Sequence, residues 1–89
     1  MFRVSSRATS ELADMLAGLV PPEGYCLRIR LRNRAIYLAL DMPRADDQQF
    51  SHQGELVLVA DPDTLEACAA YVLDFDVGDF CVRQAAEFN

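Results

Sequence analysis

The sequence contains no lysine, no tryptophan and a single histidine. It also lacks a P-loop, a GxGxxG run and any Ser/His/Asp ordering with supporting turns, so no pattern for nucleotide-dependent or nucleophilic catalysis is present. Carboxylates are plentiful, but runs such as "DD" and "DFD" are typical of solvated loops and caps. We therefore expect a protein that is not an enzyme.

Long apolar runs are also missing. The two longest, "AIYLAL" and "LVLVA", are too short to cross a bilayer, and "MFRVSSRATS" has no apolar stretch of the kind found in signal peptides. Cys26, Cys68 and Cys81 are an odd number at wide spacing without a CxxC pair, unlike a secreted disulfide scaffold. We expect a cytoplasmic protein without membrane partners, whose thiols are reduced and pack as small hydrophobic groups.

The length and the charge of the chain further limit the class of protein and its possible partners. Eighty-nine residues, 52% of them hydrophobic, are enough for one domain over residues 1–89. The formal charge is −6, divided into +3 over residues 1–34 and −9 over residues 35–89. Because nucleic-acid binding needs several cations on one surface, this overall acidity argues against a nucleic-acid partner.

The hydrophobic periodicity predicts an α+β domain. "SSRATSELADMLAGLV" has helical spacing and a cap at Ser5 or Ser6, and "DPDTLEACAA" begins a second helix capped by Asp61. "YCLRIRLR", "AIYLALDM", "YVLDFD" and "FCV" are predicted strands, "ELVLVA" a central strand, and "PRADDQQFSHQG" an exposed loop. The predicted order is α-β-β-β-α-β-β, a small mixed β-sheet or β-sandwich with two helices.

The first two strands are predicted to form a tight hairpin around Asn33 and Arg34. In that register every large aliphatic residue lies on one side of the hairpin. The predicted pairs on that side are Leu31–Ile36, Ile29–Leu38 and Leu27–Leu40. The pairs on the other side are Cys26–Asp41, Arg28–Ala39, Arg30–Tyr37 and Arg32–Ala35.

Half of the eight basic residues, all of them arginine, alternate along this hairpin: Arg28, Arg30, Arg32 and Arg34. In one interpretation the strand face is solvated and its arginines pair with Asp46, Asp47 or Glu55, each pair contributing about 0–1 kcal/mol. In the other, a surface docks an acidic protein partner, because arginine and tyrosine are enriched at interfaces. The predicted contact residues are then Arg28, Arg30, Arg32 and Tyr37.

The order of these elements and several motifs resemble the HesB/IscA family, the A-type iron–sulfur cluster carriers, over residues 4 to 82. The most specific stretch contains Phe50, Gly54, Asp61, Leu65 and the Leu73-Asp74-Phe75 run, in the order and at the spacings of comparable residues in that family. The resemblance implies the HesB/IscA-like fold, a role in iron–sulfur cluster biogenesis and protein partners from the assembly pathway.

The chain departs from the family at the cluster ligands. The family places one cysteine in the loop after its first long strand and a Cys-Gly-Cys pair in its C-terminal tail. Here the loop is "RNRA" and "RQAAEFN" stops at Asn89 before such a pair. A guanidinium has no lone pair for iron. The resemblance therefore implies a degenerate member with no cofactor of its own, acting as a protein-binding or adaptor module.

Cys26 and Cys81 leave an alternative open. Both fall on arginine-bearing strand faces, where a neighbouring guanidinium favours the thiolate. They could bind a metal or an iron–sulfur cluster, perhaps across a homodimer, with His52 adding a nitrogen. Their spacing is unlike that of a zinc site.

Overall fold

The computed structural model describes residues 1–33 and 35–87, which form two helices and two β-sheets. In chain order the elements are β1 (Arg3–Val4), α1 (Ser6–Leu19), β2 (Cys26–Arg32), β3 (Ala35–Asp41), β4 (Gln48–His52), β5 (Glu55–Ala60), α2 (Pro62–Ala67), β6 (Tyr71–Asp76), β7 (Asp79–Gln84) and a short 3₁₀ helix (Ala85–Glu87). The predicted α+β class and the order of its seven elements are confirmed, and β1 and β4 are added to them.

The β2–β3 hairpin has the predicted register. Leu27 pairs with Leu40, and Arg30 pairs with Tyr37, so the aliphatic and arginine-bearing faces separate as expected. Asn33 adopts a positive φ of 51°, which a tight hairpin turn requires. Arg34, the second predicted turn residue, lies outside the described residues.

The larger sheet has the order β3-β2-β5-β4, in which β5 runs parallel to β2 and antiparallel to β4. The prediction that "ELVLVA" is a central strand is confirmed, because residues on both of its faces are buried from Val57 to Ala60. A strand with neighbours on both sides and cover on both faces favours a continuous run of apolar residues, as in residues 57–60.

The prediction of one exposed loop over "PRADDQQFSHQG" is wrong for its second half, which forms β4. Phe50 turns inward and meets Phe2 edge-on, with ring centroids 5.8 Å apart. Gln53 and Gly54, with φ of 51° and 83°, close a tight hairpin into β5. The first part of that stretch belongs to the connection over residues 42–47, which joins β3 to β4 without forming a helix or a strand.

The smaller sheet has the order β1-β6-β7, with β1 parallel to β6 and β7 antiparallel to it. Helix α1 contacts strands of both sheets, β2, β4 and β5 in the larger and β6 in the smaller. The buried core gathers residues from the helices, both sheets and the N-terminus: Phe2, Ala8, Leu12, Leu27, Ile29, Val57, Leu58, Ala60, Cys68 and Leu73. Cys68 therefore packs as the small core residue that the sequence predicted.

Candidate protein-interaction surface

The arginine-bearing face of β2 divides into a buried half and an exposed half. Arg28 has no exposed surface, whereas Arg32 and Arg30 are exposed. The prediction of Arg28 as a contact residue for a partner is therefore wrong, because a partner cannot reach its guanidinium.

Arg28 is held by the connection that follows β3. Its Nη1 and Nη2 donate to both carboxylate oxygens of Asp47 at 2.8 and 2.6 Å, and its Nε donates to Asp41 at 2.7 Å. A further bond runs from Nη2 to the Met42 carbonyl at 3.2 Å. The bidentate pairing with Asp47 is the strong form of this interaction, since the planar guanidinium matches both carboxylate oxygens. The buried charge is thus fully paired.

The electrostatics of this cluster favour its charged state. The hydrogen bonds from Arg28 lower the pKa of Asp47 and of Asp41, and the Asp47 carboxylate raises the pKa of Arg28. The side chain of Asp47 is itself inaccessible to solvent. The interpretation in which the arginines pair with the protein's own acids is thus confirmed for Arg28 and Asp47, with the difference that the pair is buried.

The exposed half of the face forms a shallow depression lined by Arg30, Arg32 and Tyr37, which we call the arginine–tyrosine surface. Tyr37 is 52% exposed, and the Arg30 side chain is 46% exposed. Arg30 lies 3.9 Å from the Asp41 carboxylate, a distance at the limit of an ion pair. Because neither exposed arginine is buried by the protein's own acids, both remain accessible to an anionic partner.

The opposite face of β3 is apolar. Ile36 and Leu38 line an open groove together with Met15 of α1 and the consecutive residues 79–82 of β7. The groove lies between two edge strands, because β3 ends the larger sheet and β7 ends the smaller one.

The structure places the two thiols of the alternative site on different sheets. Cys26 is buried on β2 of the larger sheet, and Cys81 lies on β7 of the smaller sheet. Burial raises the pKa of Cys26 and outweighs the opposing effect of Arg28, so the expected thiolate stabilisation is wrong for this residue. Within residues 1–33 and 35–87, no group of three or more His, Cys, Asp or Glu residues is placed to share a metal.

The donor atoms near the hairpin turn do not fit a thiolate-ligated cluster either. Asn33 and Ala35, the described residues of the turn, offer an amide and a methyl group where iron–sulfur chemistry needs soft anionic sulfur. Cys68 is buried in the core, which raises the pKa of its thiol. The described part of the chain therefore has no donor set for a cluster at this position.

Asp74 is a second buried charge. The sequence pattern did not predict its burial, because runs such as "DFD" are typical of solvated loops and caps. Asp74 has no exposed surface and accepts hydrogen bonds from Ser5 Oγ at 2.6 Å and Arg7 Nη2 at 2.7 Å. The Arg83 Nε lies 3.4 Å away. The hydrogen bond from Ser5, foremost, and the contact with Arg7 lower the pKa of Asp74. The alternation of apolar residues around Asp74 on β6 was the only signal of this position.

Asp74 positions the start of α1. Ser5 caps the helix by accepting from the Ala8 N–H at 3.1 Å, while its own hydroxyl donates to Asp74. Its backbone N–H donates to the Leu73 carbonyl at 2.9 Å. One serine therefore joins the helix terminus to the middle of the smaller sheet, and the prediction of a cap at Ser5 or Ser6 is confirmed at Ser5.

Comparison with solved structures finds this fold in characterised proteins. The crystal structure of Escherichia coli SufA, a protein involved in biosynthesis of iron–sulfur clusters, has a TM-score of 0.66 and 19% identity over 93% of this chain and 84% of that one. The solution NMR structure of a protein from Aquifex aeolicus has a TM-score of 0.63 and 25% identity over 93% of this chain and 90% of that one.

These similarities confirm the HesB/IscA-like fold that the motifs indicated. No family model matches the chain, and no curated protein matches it. In the part of the chain that the structure describes, no helix combines the length and the apolar character needed to cross a membrane.

Proposed function

We propose that this protein is a non-enzymatic protein-binding module of iron–sulfur cluster biogenesis that holds no cluster on its own thiols. The observation that carries the proposal is the arginine–tyrosine surface, exposed next to the hairpin turn of a fold shared with Escherichia coli SufA. Arg32 directly precedes that turn, at Asn33. In the family that the sequence resembles, this turn supplies a cluster-ligating cysteine.

The chemistry of the surface supports an acidic partner. Two guanidinium groups beside an exposed tyrosine combine a directional charge with a large apolar contact, which is the composition of interface hot spots. The chain has a net charge of −6, so an acidic partner needs a local cluster of cations, and this surface supplies one. Cys26, Cys68 and Cys81 are all free, as is usual in the reducing cytoplasm.

The absence of a cluster is tested by anaerobic reconstitution with iron and sulfide, followed by ultraviolet–visible spectroscopy. We expect a colourless protein after desalting, with iron and sulfide far below one equivalent. A brown species that disappears in the Cys26→Ser/Cys81→Ser variant would reject this part of the proposal in favour of cluster binding.

The binding role is tested with a purified acidic apo-ferredoxin as the probe in a calorimetric titration. The variant Arg32→Ala/Tyr37→Ala removes one arginine and one tyrosine from the surface, and we expect it to weaken binding about tenfold or more. The matched control Arg3→Ala/Tyr25→Ala removes the same two residue types elsewhere and should leave the affinity unchanged. Equal losses in both variants would place the contact outside the arginine–tyrosine surface.

A further inference from the structure

Strand β3 is an edge strand with no neighbour on its outer side among the described strands. The larger sheet ends at β3, whose other side pairs with β2 along its whole length from Ala35 to Asp41. An edge of this length presents a row of unpaired backbone N–H and C=O groups that can pair with another extended chain. Natural proteins usually blunt such edges with proline, a bulge or a charge pointing inward, and β3 has none of these before Asp41.

The two faces of this edge have opposite chemistry. Ile36 and Leu38 contribute apolar side chains to the groove toward β7, which Asp79 also lines. Tyr37, between them in sequence, lines the depression with Arg30 and Arg32. A strand added beside β3 would project successive side chains alternately into these two environments. The edge therefore selects a sequence in which apolar and acidic residues alternate.

A small residue leaves Arg32 room to reach an added strand. Arg32 lies directly opposite Ala35, so the β3 position that faces it carries only a methyl group, whereas Arg30 lies opposite Tyr37. Strands lie about 4.8 Å apart, so an added strand would lie about 9.6 Å from β2, a distance that an extended arginine and an extended glutamate side chain can span together. An acidic side chain on the added strand is thus within reach of Arg32 across Ala35.

We propose that the edge of β3 docks an extended acidic segment of a protein partner, which adds to the larger sheet as a fifth strand. This inference rests on the proposed function and specifies how the partner binds. Backbone hydrogen bonds to β3 supply the affinity, while alternate apolar and acidic side chains supply the specificity. The apolar side chains of the segment would cover Ile36, Leu38 and Met15.

A second copy of the chain is a poorer occupant of this edge. A two-fold β3–β3 pairing would extend one continuous sheet whose arginine-bearing faces lie on the same side. The two β2 strands would then lie about 14 Å apart, three strand spacings, with Arg30 and Arg32 of both copies on the same face, so this pairing brings no opposite charges together there. An acidic segment has the complementary charge.

The probe for this proposal is a fluorescein-labelled octapeptide that alternates valine with glutamate, measured by fluorescence anisotropy at low salt. The matched peptide alternates valine with lysine. We expect the glutamate peptide to bind at least about tenfold more tightly, because its carboxylates meet Arg32. Equal affinity for the two peptides would overturn the assignment of an acidic segment.

Backbone methylation tests strand addition itself. Two further glutamate peptides carry N-methyl groups on alternate amides, one on each of the two possible sets. Only one set of N–H groups faces β3 in a paired strand, so we expect one peptide to lose binding and the other to retain it. Loss or retention of binding in both peptides would show that the segment does not bind as a strand.

Charge reversal locates the binding edge. Arg32→Glu should weaken binding of the glutamate peptide about fivefold or more and tighten binding of the lysine peptide, whereas Arg3→Glu, which makes the same charge change on β1, should do neither. Identical effects of the two variants would reject the edge of β3 as the site. Sedimentation as a dimer together with an absence of peptide binding would assign the edge to a second copy and also overturn the proposal.

These outcomes are separable from those of the proposed function. If the acidic apo-ferredoxin binds through Arg32 and Tyr37 while the octapeptides fail, the protein-binding role stands and strand addition is rejected. If reconstitution yields a cluster on Cys26 and Cys81, the proposed function fails whatever the peptides do.

Discussion

Two buried ion clusters among the described residues are arranged in opposite ways. In one, the cation Arg28 is buried and pairs with the buried Asp47 and the partly exposed Asp41. In the other, the anion Asp74 is buried and its arginine partners reach it from the surface, Arg7 with 61% and Arg83 with 40% of the side chain exposed. Because of this difference, removing Arg28 leaves a buried carboxylate without its cation, whereas removing Asp74 leaves arginines that already contact water.

The clusters also join different parts of the chain. Arg28 is 13 and 19 residues from its carboxylate partners, so it holds the connection over residues 42–47 against the sheet. Asp74 is 69 and 67 residues from Ser5 and Arg7, so it joins the two ends of the chain. Contacts of the second kind close a long loop and therefore carry a larger entropic cost on folding.

The largest effect should follow Arg28→Ala. Removing the guanidinium leaves the Asp47 carboxylate buried without a cation, and breaking a buried pair in this way costs about 3–5 kcal/mol. Against a net stability of about 5–10 kcal/mol for a domain of this size, the variant should be close to unfolding. Urea denaturation followed by circular dichroism measures the loss.

A companion variant separates the stranded charge from the lost packing. Arg28→Met/Asp47→Asn removes both charges, while the asparagine oxygen can still accept the Arg44 N–H that Asp47 accepts at 2.7 Å. We expect this double variant to be more stable than Arg28→Ala, because no ion remains unpaired in the interior. If the two variants were equally unstable, packing of the arginine side chain would account for the effect.

Asp74→Asn should have the second largest effect, about 1.5–3 kcal/mol, the cost of losing hydrogen bonds to a charged group. The loss is smaller than for Arg28→Ala because the arginines released from Asp74 are already in contact with water. Denaturation with urea gives the free energy of unfolding, and the matched control is Asp76→Asn. Asp76 binds the same Arg83 at 2.8 Å but is itself partly exposed, so its loss should be small.

Lowering the pH should remove the stability that the carboxylates of both clusters contribute. The pKa values of Asp41, Asp47 and Asp74 are lowered in the folded state, so their contribution is present above the unfolded value of about 3.9 and is lost as the pH falls through the folded values. Arg28→Met/Asp47→Asn should unfold with a shallower dependence on pH below about 4. The comparison is made by urea titrations at a series of pH values, and an unchanged slope would mean that Asp47 does not contribute to acid unfolding.

The periodicity of the sequence predicted the helices, the hairpin register and the central strand β5. These features depend on which residues alternate, and alternation is visible in the chain itself. Strand β4 was missed because Gln48, Gln49 and Ser51 look like loop residues, and Phe50 alone faces the core. A polar edge strand needs only one buried face, so its signal is weak; the Gln53–Gly54 turn was the available indication.

The alternation of residues could not predict which arginines are buried and which are exposed. Arg28, Arg30 and Arg32 occupy equivalent positions in the sequence pattern, and they differ in whether residues 42–47 fold back over them. Arg28 also pairs with Val59 of β5, and Asp47 reaches it across 19 positions; both are long-range contacts. The burial of Asp74 could not be predicted for the same reason, because its partners Ser5 and Arg7 lie 69 and 67 residues away.

The smallest effect should follow Arg7→Ala. The Arg7 side chain is mostly exposed, so its pair with Asp74 should contribute about 0–1 kcal/mol, although the 2.7 Å contact is as short as the one between Arg28 and Asp41. Arg83 and Ser5 would continue to compensate the Asp74 charge. Urea titrations of Arg7→Ala beside Arg28→Ala test the point directly. A loss from Arg7→Ala approaching that from Arg28→Ala would show that distance, and not burial of the cation, sets the strength of these clusters.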